Sequence, residues 1–198
     1  MGFAVPASAD TAPITAYYHD PALTGYTYAT SDQNAVISIP VRASVGGTCG
    51  FATNGAPNGT FNVGAIDTTG WTQQVPFTAE CTAPWRIAVS SANGGLKNSA
   101  SVPVGYANKA PYNVALNVAS DSGAVTGTCP VAQIDAALGS SPCTFKGSAS
   151  TTNGLQVPRS FGLAGSSITM SAPAYPGPSI LISGGYTDTL TVTVSPAV

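Results

Sequence analysis

The chain has 198 residues, room for one domain of β-sandwich size with an extension. Charged residues make up only 7% and the net charge is −2, which removes the electrostatic case for binding nucleic acid or inserting among anionic lipids. Hydrophobic residues reach 43%, so a sizeable core can form while Ser, Thr, Asn, Gln and Gly carry solubility, a profile of an extracellular β protein rather than a cytosolic enzyme.

Residues 1–33 read as a signal remnant and an N-terminal extension. Met1–Ala9 ends in a small-x-small pattern like a signal-peptidase site, although a basic region and a full apolar run are lacking. Residues 10–33 carry Tyr17, Tyr18, Tyr26 and Tyr28 among Pro and Gly. Residues 34–198 read as one domain. Its first strand is Ala35–Val45, with Ala35, Ile37, Ile39, Val41, Ala43 and Val45 on one face and Ser38, Pro40, Arg42 and Ser44 on the other. Pro40 has no N–H, so this strand suits an edge or a late addition to a sheet. Further strands are expected at Gly59–Gly64, Gln74–Cys81, Trp85–Ser90, Tyr112–Val118, Ser166–Met170, Ser179–Ser183 and Tyr186–Val194. Turns such as Asn93–Gly95 and Ser183–Gly185 fall between them. The last strand is the clearest: Tyr186, Leu190, Val192 and Val194 share one face, and β-branched threonines take the other. Val131–Leu138 is the one helix-like stretch. No run approaches 18 apolar residues, so no helical membrane span is expected.

Four cysteines, Cys49, Cys81, Cys129 and Cys143, with no C-x-x-C pair and a single histidine, read as two disulfides rather than a zinc site. An oxidising compartment follows. Three connectivities exist. Cys49–Cys81 with Cys129–Cys143 is favoured, because each closes a short loop between expected neighbouring strands.

The search for chemistry finds little. His19 lies in the irregular arm, no G-x-S-x-G elbow exists, and nucleophilic hydrolysis therefore lacks its usual base. The eight carboxylates, Asp10, Asp20, Asp32, Asp67, Glu80, Asp121, Asp135 and Asp188, form no recognisable motif and read as ordinary solvated groups. No P-loop, G-x-G-x-x-G or H-E-x-x-H is present, so no catalytic residue, cofactor or metal is expected. Asn58-Gly59-Thr60 matches a glycosylation sequon of the kind that also occurs by chance in turns. Trp85 reads as a core aromatic. Trp71 reads either as a loop residue that stacks on a sugar or as a buried or subunit-contact residue.

Several segments in order carry a resemblance: Gly46–Phe51, Thr60–Gly64, Val75–Cys81, Arg86–Asn98 and the ending Gly184–Val194, a Gly-Tyr-x-Asp-Thr-Leu-x-Val-Thr-Val pattern. Over roughly residues 35–198 the chain resembles the spore coat protein U domain family, which includes pilins of the archaic chaperone–usher pathway. That resemblance implies an incomplete immunoglobulin-like β-sandwich, completed by a donated N-terminal strand and carrying two disulfides. It implies a structural subunit of a bacterial surface filament, built by donor-strand exchange and serving adhesion or biofilm formation. The donor strand would be 34–45, through the six aliphatic positions named above, and the groove would be bordered by Tyr186, Leu190, Val192 and Val194. Implied partners are identical subunits in a homopolymer, a periplasmic chaperone and an outer-membrane usher, with the product outside the cell. Relative to the family, the run-in before Asn34 is long, and Cys129–Cys143 looks like an added hairpin. A carbohydrate-binding or tip-adhesin module of the same fold is the competing reading. A secreted hydrolase is the third, disfavoured by the single histidine and the few charges.

Overall fold

A computed structural model of the protein describes residues Gly47–Ala197. The expected strand Ala35–Val45, with all six of its aliphatic positions, and His19 lie outside the described residues, as does the whole extension 1–33.

Thirteen strands follow in chain order: β1 Cys49–Phe51, β2 Trp71–Phe77, β3 Ala79–Cys81, β4 Trp85–Ser91, β5 Leu96–Lys97, β6 Tyr106–Ala107, β7 Lys109–Ala110, β8 Asn113–Val118, β9 Val125–Pro130, β10 Leu155–Val157, β11 Ser166–Ala172, β12 Ile180–Leu181 and β13 Leu190–Pro196. The fold is an all-β sandwich. One sheet has four strands in the order β2-β11-β8-β9, and the other has three in the order β10-β4-β13. All pairings within these two sheets are antiparallel. Short ladders β1–β3, β5–β7 and the parallel β6–β12 close the ends.

Alternation explains the core. In β4, Trp85, Ile87 and Val89 face inward, and in β8 Val114, Leu116 and Val118 meet them from the opposite sheet; all six are buried. Phe145 enters from the segment after β9 and is fully enclosed. The Trp85 indole N–H donates to Ser160 Oγ at 3.2 Å, and the Ser160 hydroxyl donates to the Ala119 carbonyl at 2.7 Å, so the largest core residue leaves no orphaned donor. Trp85 is thus a core aromatic, as its sequence setting predicts.

Several expectations need correction. Gly59–Gly64 is not a strand but part of an exposed loop between β1 and β2, since Gly59 and Gly64 take positive φ and interrupt the Thr-x-Asn alternation. Gln74–Cys81 is two strands, β2 and β3, interrupted at Thr78, whose N–H donates to Gly55 and whose carbonyl accepts from Ala52. The helix-like stretch is reduced to a single 3₁₀ turn, Val131–Ile134, which also replaces the hairpin expected between Cys129 and Cys143. The terminal strand begins at Leu190 rather than Tyr186 and runs on to Pro196. Six strands, β1, β5, β6, β7, β9 and β10, fall outside the expected ones: five are only two or three residues long, and β9 alternates covered and exposed positions but spends two of its covered places on Gly127 and Cys129 rather than on large aliphatics. At the turn after β4, Gly94 has φ +61°, and a side chain there would collide with that of Asp135, so glycine is required on two counts.

Both disulfides form with the favoured connectivity. Cys49 pairs with Cys81 across the β1–β3 ladder, with Cα atoms 4.0 Å apart, and Cys129 pairs with Cys143 at 5.8 Å. Each joins a strand to a segment with few other anchors. The 14-residue separation of the second predicts that Cys129→Ala with Cys143→Ala lowers stability by about 3 kcal/mol. Denaturant unfolding with an unchanged slope measures it; an unmoved midpoint would contradict the expectation.

Candidate functional site

Sheet order places β2 and β13 at the margins of their respective sheets. Among the described residues neither has a partner on its outer side, so each presents a free row of backbone donors and acceptors. Pro76 in β2 lacks an N–H, which fits a margin and would interrupt a central strand.

Between these two margins runs a groove of about 970 Å³. Trp71 and Val75 from β2, Ile168 and Met170 from β11, and Leu190 and Val192 from β13 give it an apolar strip, while Asn58, Asn62, Asp67, Gln73, Thr187 and Asp188 make the rest of the lining polar. The inward faces of both marginal strands are incompletely covered. Trp71, Leu190, Val192 and Val194 pack against the core yet stay half-buried, whereas their counterparts on β4 and β8 are enclosed. Farther along, β1 packs against β13 and sets Phe51 edge-on to Phe77, with ring centres 6.0 Å apart. The loop Pro57–Asp67 forms one lip, with Phe61 42% exposed.

The structure distributes the expected groove-bordering residues as follows. Leu190 and Val192 line the groove from β13. Tyr186 lines it as well, but from the loop before the strand, where its hydroxyl donates to Ile182 O at 2.9 Å. Val194 lies farther along β13, opposite Ile87, and is not part of the lining. Trp71 is neither on a loop nor buried; it stands at the start of β2, half-buried, its ring 5.5 Å from that of Tyr112. The loop 57–67, Ile168 and Met170 were not legible as groove residues. Their role depends on which strands are neighbours, and a sequence pattern reports only a face.

The open end of the groove is fixed by one carboxylate. Asp188 Oδ2 accepts from the Ser91 hydroxyl at 2.6 Å and from the Tyr112 hydroxyl at 2.7 Å. Its Oδ1 accepts from the Asn93 N–H at 3.1 Å and from the Thr189 N–H at 2.8 Å. Four donors use the whole acceptor capacity of the group. Asp188 is therefore not the solvated carboxylate expected of it. It ties the segment before β13 to the end of β4 and the start of β8. Burial, and then the bond and negative charge of Asp188, push the Tyr112 phenol well above its ordinary value.

Asp67 lines the same groove as Asp188, and Asp135 lies beside Ser91 and Gly94, but neither is hydrogen-bonded to Asp188. Asp135 faces Lys109 at 3.9 Å and Asp121 faces Arg159 at 3.4 Å, both at partly exposed positions. Among the described residues no three His, Cys, Asp or Glu side chains gather as a metal site would need. No protein-family model matches the chain. No curated protein matches it either.

Tyr112→Phe removes one of the four donors to Asp188 and should lower stability at neutral pH by about 1–2 kcal/mol. The sign of the pH effect follows from the raised phenol value. The folded protein holds a proton that the unfolded chain releases above 10.0, so this contribution is complete below that pH and declines above it. Denaturant midpoints from neutral to strongly alkaline pH should fall less steeply in the variant than in the parent. Parallel curves would show that the phenol carries no such linkage.

Proposed function

We propose that this chain is a structural subunit of a bacterial surface filament, assembled by donor-strand exchange. The observation that carries the reading is the groove between two strand margins, with an apolar strip along it and the aliphatic face of β13 half-covered. Such a groove has the size and chemistry for one added strand. Alternate side chains would fill the space between the sheets, and main-chain bonds would satisfy both margins at once. The chain itself contains a segment of the matching kind: Ala35–Val45 has six aliphatic positions on one face and polar residues opposite. A second copy of the chain is therefore the natural donor, and the product is a homopolymer. The resemblance to the spore coat protein U domain family supports the same reading, and with it a periplasmic chaperone to shield the groove, an outer-membrane usher, and a final place on the cell surface. The two disulfides fit passage through an oxidising compartment.

One observation favours a second reading, a carbohydrate-binding module: the half-buried Trp71, backed by the buried Tyr112, lines the groove. Its weakness is Asp188, whose acceptor sites are all committed to the protein and cannot serve a sugar hydroxyl.

Deleting residues 1–45 should leave a protein that depends on a groove-filling partner and never forms fibres. Ile39→Asp should act similarly, because an unpaired carboxylate set against the groove's apolar strip costs several kcal/mol or forces protonation. Ser38→Asp, on the opposite face, should be much milder. Appending residues 34–45 after Val198 through a flexible linker should give a stable monomer that polymerises no further. Electron microscopy and denaturant unfolding read all four. If the protein lacking residues 1–45 folds alone with the stability of the full chain, no strand is missing and the filament reading fails.

A further inference from the structure

The chain contains four Asn-Gly dipeptides, Asn54-Gly55, Asn58-Gly59, Asn93-Gly94 and Asn153-Gly154, and all lie within the described residues. This dipeptide is chemically special. The glycine nitrogen has no neighbouring Cβ to crowd it, so after losing its proton it can attack Cγ of the asparagine side chain. The new N–Cγ bond closes a five-membered succinimide as the Cγ–Nδ2 bond breaks and ammonia leaves with the electron pair and the proton. Water then opens the ring at either carbonyl, giving aspartate or isoaspartate. The net change is asparagine plus water to acid plus ammonia, with no oxidation and no further reactant. The reaction needs a free glycine N–H, a carboxamide able to turn, and a backbone able to adjust.

Three of the four sites withhold at least one of these. Gly55 N–H donates to Ala52 O at 2.7 Å, and Gly55 O accepts from Thr78, so that turn is tied on both sides. Gly94 N–H donates to Ser91 Oγ at 2.7 Å, while the Asn93 carboxamide is held by Thr187 O at 3.1 Å. The Asn153 carboxamide donates to two carbonyls, Lys146 O at 3.0 Å and Ser148 O at 2.8 Å. At Asn58-Gly59 neither the carboxamide nor the glycine N–H has a hydrogen-bond partner among the described residues, and both residues are exposed. Within Pro57–Gly64 the backbone is tied only by Gly64 N–H to Asn62 Oδ1 at 3.0 Å.

We propose that Asn58 is a built-in site of spontaneous covalent modification, converting through a succinimide to aspartate and isoaspartate while the other three asparagines are held back by the fold. Asn58 and Gly59 form part of the groove's lip, so the product adds a negative charge, and in the iso form an extra backbone methylene, to a mouth that Asp67 and Asp188 also line. The inference stands on the local geometry and does not require the filament reading.

The test uses the full native chain, held at mildly alkaline pH and physiological temperature. Aliquots are digested, and fragmentation locates each amide-to-acid mass change; an isoaspartyl-specific methyl-transfer assay reports the iso product. A parallel sample is kept reduced and unfolded in denaturant. In the native protein Asn58 should convert at least about tenfold faster than Asn54, Asn93 or Asn153, because one hydrogen bond on a reacting group is worth roughly an order of magnitude in rate. In the unfolded chain the four rates should draw together. Asn58→Ser should abolish that one mass change and leave the other three sites as they were. Conversion of another site as fast as Asn58 in the native protein, or a native ranking no different from the unfolded one, would overturn the assignment.

Discussion

A four-stranded sheet facing a three-stranded one cannot cover itself, and the rest of the architecture follows from that mismatch. Where β8 meets β4, each inward side chain finds apolar atoms on the other side. Where β2 and β13 run along the margins, each finds only part of its cover, and an open channel remains between them. Burying an aliphatic side chain fully is worth ~1.5–3 kcal/mol, so several half-covered positions in a row leave a substantial unsatisfied attraction for an added apolar strand. The backbone adds to it, since a strand margin is also a row of unused hydrogen-bonding groups.

Leaving a channel open demands that its walls not collapse into it, and the Asp188 network answers that demand. The segment ahead of β13 is already paired to Lys97 through the Thr187 backbone, and the carboxylate adds to that hold. Three hydrogen bonds to one carboxylate fasten the segment to Ser91, Asn93 and Tyr112, which belong to the end of β4, the turn after it and the approach to β8. Both sheets are joined there by polar contacts at the place where apolar packing gives out. The Cys49–Cys81 bridge holds β1 to β3, and the edge-on Phe51–Phe77 contact seats β1 against β2.

The parts of this structure that were legible in the sequence are those where one strand announces itself. Leu190, Val192 and Val194 alternate with Thr191 and Thr193, and that rhythm alone locates β13. Trp85, Ile87 and Val89 do the same for β4, and the paired spacing of the cysteines favours the observed bridges. What was illegible is relational. Nothing in Thr60–Gly64 separates a strand from an extended loop until one knows that no neighbour pairs with it. Nothing in Asp188 distinguishes a surface carboxylate from one with four donors, because those donors lie up to 97 residues away. The groove shares that character: Met170 and Leu190 belong to it only because β11 and β13 converge.

The Cys49–Cys81 bridge has a mechanical meaning. Tension applied to the chain ahead of Thr48 reaches Cys81 through sulfur rather than through backbone, because the two residues are covalently joined. The segment between them, which includes the loop lip of the groove and all of β2, is bypassed as a load path. From Cys81 the force passes within a few residues into β4, the central strand of its sheet, which is gripped by β13 on one side and β10 on the other. A pull on the N-terminal side is thus carried by a strand whose inward side chains are fully buried, and β2, the groove's other wall, lies outside that path.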